Sequence, residues 1–266
     1  MPAMDTTTPP IGTLLRDWRT RRGRSQMDLA LETGVSTRHL SYVENGRARP
    51  SAEMVLRLAE QLEVPLRDQN ALLLAAGFAP RFGQRGLDEP EMAPVRAALE
   101  RVLAGHEPYP ALVVDRHWGL VAANAALGVL TAGVAPELLE PPVNVLRLSL
   151  HPGGLAPRIL NLPEWRGHLL DTLARQAVSS GDPALAALRE ELAALPGGEV
   201  HGDAADVAAA EIAVPLRVLA PDGVTPLSFV STRTTFGTAT DVTAAELSIE
   251  SFFPADAATA EHLRAV

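Results

Sequence analysis

One short stretch constrains the fold more than any other: residues 26–43, QMDLALETGVSTRHLSYV, set Ala30, Gly34, Leu40 and Val43 at fixed intervals. Two helices cross closely only where the first carries a small residue, and Ala30 supplies it. The turn between them needs a residue that tolerates positive φ, and Gly34 follows four positions on. The second helix then docks through Leu40 and Val43, one turn apart, which leaves Thr37, Arg38, Ser41 and Tyr42 on its other side. The pattern predicts a helix-turn-helix.

Its neighbours extend it to five short helices. Ile11, Leu14, Leu15 and Trp18 share one helical stripe, and Gly23 ends that helix. Ser25 with Asp28 three residues on opens the second as a capping box, Ser36 opens the third, and Asn45-Gly46 stops it. Ser51 after Pro50 starts a fourth with Val55, Leu58, Ala59 and Leu62 inward, and Pro65 precedes a fifth over 66–76. We expect residues 1–10 to be disordered, 11–80 to form one domain, 81–93 to be a Gly/Pro-broken linker, and 94–266 to form a second domain.

That second part changes period. After a helix near 94–104, Ala111–Val114 and Leu120–Ala123 are short apolar runs around a turn. A helical middle follows, clearest at 165–179 and 183–195. Three strand candidates close the chain: 212–219, 227–236 and 246–253, the first two joined by Pro221-Asp222-Gly223. Pro215 demotes the first of them to an edge or bulged strand. In the last, Leu247 and Ile249 form one side and Glu246, Ser248 and Glu250 the other. The expected fold is α+β, a five-stranded antiparallel sheet with helices on one face.

The net charge of −9 is unevenly placed, with +3 over residues 1–85 and −12 over 86–266, and every basic residue is Arg. A basic module joined to an acidic body is the expected reading. Five Arg fall between 16 and 24, where they either serve a partner or form a solvated helix face. Without cysteine the chain has no disulfide framework, zinc ribbon or thiol nucleophile. Residues 1–10 lack the apolar core of a signal peptide. The longest uncharged stretch, 118–136, is marginal for a membrane span and reads better as a strand and part of a helix. A soluble cytoplasmic protein is expected, with no membrane partner.

The outward side of the third helix suits a major groove. Arg38 can engage guanine O6 and N7 together, and Thr37 or Ser41 can meet base edges or a thymine methyl. Gln26, at a helix N-terminus, and the loop residues Asn45, Arg47 and Arg49 suit phosphate contacts that set register, and Ser36 at the next helix start is a further DNA-binding candidate. Tyr42 can pack on sugar–phosphate, read a base, or cover Trp18. Residues 11–78, with RTRRGRSQMDLALETGVSTRHLSYVENGRARPS at their centre, resemble the XRE/Cro-type, lambda-repressor-like helix-turn-helix domain of phage and bacterial repressors. The resemblance implies that Gln26, Thr37, Arg38 and Asn45 contact double-stranded DNA, and that Arg19 and Glu44 form a mostly buried structural pair.

Residues 94–266 resemble the MmyB-like ligand-binding domain, a PAS-like fold often fused to such modules, through PALVVDRHWGLVAANAAL (110–127), VNVLRLSLHP (143–152), LPEWR (162–166) and TTFGTATDVTAAELSIESFFPAD (234–256). The resemblance implies a small hydrophobic or fatty-acid-like ligand. The chain departs from many members at 200–210, Ala/Asp-rich here, where His201 alone remains of a basic, Trp- and His-containing segment. A PAS-like site lies between sheet and helical insert, apolar with a few convergent polar groups. The candidates are Val113, Val121, Asn124, Arg147, His151, Trp165, Phe229 and Phe252. Asn124 also suits a helix N-cap. Arg147, in an apolar run, needs a carboxylate or carbonyl partner or an anionic ligand head.

No catalytic pattern accompanies these signals. The seven His stand at 39, 106, 117, 151, 168, 201 and 262, without metal-ligand spacing, so neither metal nor cofactor is expected. The expected function is a homodimeric, sequence-specific DNA-binding regulator whose second domain senses a small molecule. The alternative is a DNA-binding protein whose acidic domain grips a protein and takes no small ligand. An enzyme would need His151, Asp171 and Ser179 to converge.

Overall fold

The computed structural model describes residues 9–197 and 214–265. Most of the expectation for residues 1–10, the segment 200–210 with His201, and the start of the 212–219 strand lie outside the described residues. The chain separates into two compact units, one built on residues up to Arg85 and one on residues from Gly86, with Val178–Ser180 and Thr238–Ala245 counted with the first.

The first unit holds five helices: α1 Ile11–Arg21, α2 Gln26–Thr33, α3 Thr37–Glu44, α4 Ala52–Gln61 and α5 Leu66–Ala75. Three begin on a serine whose hydroxyl satisfies an otherwise orphaned amide. Ser25 Oγ accepts from Asp28 N at 3.1 Å, and the Asp28 carboxylate accepts in return from Ser25 N, a complete capping box. Ser36 and Ser51 each accept at 3.2 Å, from His39 N and Met54 N. Gly34 ends α2 at φ 68°, the left-handed cap that the turn requires. The helices close on Leu15, Trp18, Leu29, Leu40, Val43, Leu58 and Leu62. Gly12 was not singled out in the sequence, yet it sets how closely α1 approaches α3: a Cβ there would lie 2.4 Å from the Val43 carbonyl oxygen.

Beyond Gly86 the chain forms α6 Ala93–Gly105, then β1 Ala111–Val114, β2 Leu120–Ala123, α7 Gly128–Thr131, α8 Val145–Leu150, α9 Leu162–Ser180 and α10 Pro183–Ala193. After the undescribed stretch come β3 Leu216–Leu219, β4 Pro226–Thr235, α11 Val242–Glu246, β5 Ser248–Pro254 and α12 Ala257–Ala265. The strands form one sheet in the order β2-β1-β5-β4-β3, antiparallel throughout. β3 is an edge strand, with Pro215 just ahead of it. The 143–152 block is helical in its middle, and Glu246 closes α11 ahead of β5 instead of starting that strand.

Helices cover both faces of the sheet, not one. The alternation of β1 and β5 leaves Ala111, Val113 and Ile249 apolar on the outer face, and α6 seals it with Leu99 and Leu103. The inner face carries Leu112, Val114, Leu216, Val218, Phe229 and Phe252, packed against Trp165, Leu169 and Leu173 of α9 and Leu185, Leu188 and Leu192 of α10. Arg158 staples this layer together: its guanidinium donates to the carbonyls of Leu219, Val129 and Ala132 at 2.7–2.9 Å. Among the described residues no helix is long and apolar enough to cross a membrane, and 118–136 is divided between β2 and short helices.

Candidate nucleic-acid interface and ligand cavity

α3 is amphipathic because Leu40 and Val43 are fully buried while Thr37 and Arg38 are exposed and Ser41 and Tyr42 half-buried. Arg38 Nε donates to the Tyr42 hydroxyl at 3.0 Å, and its guanidinium stands 5.4 Å from the ring centroid, so each side chain restrains the other. Ser36 is exposed and caps α3. Past the helix, the chain turns back through Arg47 N to the Tyr42 carbonyl at 2.7 Å, and Arg47 and Arg49 are exposed.

Beneath this face lies a buried carboxylate. Glu44 receives Arg19 Nε at 2.7 Å and Arg19 Nη2 at 2.9 Å, and its Oε2 also accepts from Gln26 Nε2 at 2.7 Å. Burial alone pushes the Glu44 carboxyl up, but the Arg19 and Gln26 hydrogen bonds and the Arg19 and Arg16 charges outweigh it and hold it below the ordinary glutamate value. Gln26 is thereby held by the pair at the head of α2. Asn45 is fixed likewise: its oxygen accepts from Arg16 at 2.6 Å, and its amide donates to the Ser41 carbonyl at 2.8 Å.

The arginine run of 16–24 is accounted for inside this unit. Arg16 and Arg19 hold Glu44 and Asn45, Arg22 donates to the carbonyls of Leu62 and Glu63, and Arg24 pairs with Glu32. Arg21 lies over the Trp18 ring at 4.5 Å. Outside that run, Arg38 on α3 and Arg47 and Arg49 in the loop after it are exposed.

The second unit contains a partly open cavity of about 290 Å³ between the inner sheet face and α8–α9. Apolar groups dominate its wall: Leu112, Trp118, Leu120, Leu130, Leu146, Leu148, Leu169 and Leu216, with Trp165 and Phe252. Polar groups are few: Thr131, Ser149, His168, Thr172, Ser231, Arg233 and Glu250. Trp165 Nε1 donates to Ser149 at 3.0 Å, and Trp118 Nε1 donates to Gln176 at 2.9 Å, which fixes both rings. Burial lowers the His168 imidazole below its ordinary value, with Arg175 adding to the effect, so it is neutral near pH 7.

Of the eight residues expected at a ligand site, Trp165 and Phe252 line this cavity, and six do not. Val113 faces α6 on the other side of the sheet. Val121 is skipped in the β1–β2 register, where Val113 pairs with Ala122 and Val114 with Leu120, and that irregularity turns Leu120 inward in its place. Asn124 stands at an N-cap position without making the cap bond. Its oxygen accepts from Ala111 N at 2.9 Å and its amide donates to the Tyr109 carbonyl at 2.7 Å, clipping β1 to the segment before it. Arg147 lies on the outer side of α8 and forms a two-point pair with Glu191 at 2.6 and 2.8 Å, half exposed. His151 accepts from Gly153 N in its own loop, and Phe229 is fully buried, edge-on to Phe252.

Arg233 and Glu250 were missed, although strand parity carried the signal. Arg233 shares its side of β4 with Leu227 and Phe229, and Glu250 shares its side of β5 with Phe252, so both point inward. Asp171 and Ser179 stand eight residues apart in α9, about 12 Å along its axis, so the catalytic trio does not converge. Among the described residues no group of three or more His, Asp or Glu is placed to hold a metal ion.

Residues 95–266 match the family described as the MmyB-like transcription regulator ligand binding domain, and residues 15–69 match a helix-turn-helix family. Curated relatives include the uncharacterized HTH-type transcriptional regulators Rv0023 of Mycobacterium tuberculosis and Mb0023 of Mycobacterium bovis. Each is 34% identical over 113 residues, which is 40% of this chain and 38% of the relative's own length. Among solved structures, the clp gene regulator ClgR from C. glutamicum aligns at 30% identity over 27% of this chain and 96% of its own, with a TM-score of 0.23. An RNA-binding Light-Oxygen-Voltage receptor aligns at 15% identity over 96% of this chain and 60% of its own, with a TM-score of 0.26.

Proposed function

The chain belongs to the MmyB-like transcription regulators, DNA-binding helix-turn-helix proteins with a ligand-binding domain, and on that premise we propose that it is a cytoplasmic homodimer whose second domain senses a small hydrophobic or fatty-acid-like molecule. Residues 11–80 read the operator, 81–93 join the two parts, and 94–266 hold the ligand and pair the subunits. The observation that supports the DNA role is α3, whose docking side is sealed by Leu40 and Val43 while Thr37 and Arg38 stand in solvent. Thr37, Arg38, Ser41 and Tyr42 meet bases; Gln26, Ser36, Asn45, Arg47 and Arg49 meet phosphates.

The concave, largely apolar cavity supports a small-molecule role over a surface that only grips a protein. Its volume of about 290 Å³ lies just below the roughly 300–1,000 Å³ of drug-sized ligand sites, which suits a small molecule. A ligand acts only through different affinities for DNA-competent and incompetent arrangements. The lever is the spacing of two recognition helices, which a two-fold operator fixes at about 34 Å or a multiple of it.

The test is fluorescence anisotropy of the full chain on the duplex upstream of its own gene, against a scrambled duplex, across a salt series. The expected result is tight binding over the scrambled control, with a log–log salt slope reporting several phosphate contacts. Equal, weak binding to both, and equally weak binding to randomised operator libraries, overturns sequence-specific reading.

A further inference from the structure

Two charged side chains stand on the apolar inner face of the sheet. Arg233 and Glu250 are directly opposite each other across β4 and β5, and both line the cavity. Arg233 Nε lies 3.2 Å from Glu250 Oε1, yet the approach lacks hydrogen-bond geometry, and that buried oxygen has no hydrogen-bond partner. The same guanidinium also lies over the Trp118 ring, 4.5 Å from its centroid. On its other flank Glu250 is paired with Leu112, which offers nothing polar. The titratable group that faces the cavity from α9 is His168, neutral near pH 7.

Glu250 Oε1 therefore has a charge partner but no hydrogen-bond donor, and a buried acceptor gains from one. With Glu250 ionised, the site contains one cation and one carboxylate and has no net charge to offer an anion. A ligand carboxylate on this wall would face the Glu250 charge. A hydroxyl or amide N–H, by contrast, donates to Glu250 Oε1 without adding charge, and its chain runs along the leucines. We propose that the cavity selects an amphipathic molecule with an uncharged hydrogen-bond-donating head, an alcohol or primary amide, seated on Glu250 with Arg233 as counter-charge. This rests on the reading of the cavity as a ligand site and narrows its ligand class away from free fatty acids. Burial pushes the Glu250 carboxyl up to about 7, so mildly alkaline solution is where the charged acceptor is populated.

The experiment titrates the full-length protein with 1-decanol, decanamide and decanoate at pH 8, following the fluorescence of Trp118 and Trp165, which both line the cavity. Decanol and decanamide are expected to bind about tenfold or more tightly than decanoate, the effect of one hydrogen bond to a charged acceptor. Glu250→Gln should shrink that ratio to within about threefold. The wild-type ratio needs no variant, so a misfolded Glu250→Gln leaves the test standing. Decanoate binding as tightly as decanol in the wild type overturns the head-group assignment while keeping the cavity as a ligand site. Binding of none of the three overturns the ligand-site reading itself.

Discussion

Arg19 of α1 and Glu44 of α3 meet through two parallel hydrogen bonds, with the Glu44 side chain fully buried and Arg19 largely so. Breaking such a pair from one side costs up to about 3–5 kcal/mol, here moderated by Gln26 and Arg16, which still reach Glu44. Arg19→Ala should therefore lower the urea-denaturation stability of the first unit by that order. Arg24→Ala, which breaks the exposed Arg24–Glu32 pair, should cost less than about 1 kcal/mol. Equal losses in the two variants would remove Glu44 from the structural core. The pair also sets a pH limit. Because the Glu44 carboxyl is held below its ordinary value in the fold, its contribution is present above the ordinary glutamate value and is lost as pH falls through the folded one.

The hydrogen bond from Arg38 to the Tyr42 hydroxyl makes a second, separable prediction. Arg38→Ala should cost about 1–3 kcal/mol in operator binding and relax preference at one base position, whereas Arg47→Ala should weaken all duplexes alike and lower the salt slope by about 1. Tyr42→Phe keeps the ring under Arg38 and removes only the bond, so its effect should fall between wild type and Arg38→Ala. Selection of preferred sites from random duplexes checks all three. An unchanged preference in Arg38→Ala takes that residue out of base reading.

What the sequence made legible follows the range of the forces involved. The helix-turn-helix is written in local signals: Ser25, Ser36 and Ser51 cap within three residues, and Gly34 needs only its own φ. The five strands and their antiparallel pairing were readable from alternation and turns for the same reason. The cavity wall was not, because it depends on which side of each strand meets the helices. Glu250 was grouped with Glu246 and Ser248 opposite Leu247 and Ile249, and its parity with Phe252 turns it into the cavity. Val121 lost its place to a single-residue irregularity in register. Arg147 turned outward because its apolar run is a helix, whose side chains spread around an axis. Gly12 carried no signal at all, since its importance lies in the carbonyls of Val43 and Glu44, more than 30 residues away.

That glycine yields a sharp stability test. A Cβ at position 12 would sit 2.4 Å from the Val43 carbonyl oxygen and 2.7 Å from that of Glu44, both backbone atoms that cannot swing aside. Gly12→Ala must push α1 away from α3, and overpacking of this kind costs about 1–3 kcal/mol. Elsewhere in a helix the same change is favourable by about 1 kcal/mol. Gly167 in α9 has nothing within 4 Å of a built Cβ and is the matched control. Thermal unfolding should show Gly12→Ala lower and Gly167→Ala equal to or higher than wild type; the reverse order refutes the close approach.

Glu250 predicts an unusual pH dependence. Burial raises its carboxyl to about 7, and the Arg233 charge only partly offsets this. Burial likewise lowers the Arg233 guanidinium, so both partners lose more to desolvation than the pair returns. A folded value above the unfolded one means that the fold prefers the protonated acid. Its stabilising effect is complete below the ordinary glutamate value, declines as pH rises from there to about 7, and is absent above, a span on the order of 3 kcal/mol. His168 works in the opposite sense: its lowered folded value makes stability rise with pH until its ordinary value is passed. The two overlap, so the clean quantity is the difference between wild type and Glu250→Gln. Urea unfolding of the second unit at pH 5 and pH 8 should find Glu250→Gln gaining on wild type as pH rises, because the amide carries the protonated acid's neutrality at every pH. A difference that stays constant between the two would mean that Glu250 is charged in the fold throughout, with Arg233 as a full partner.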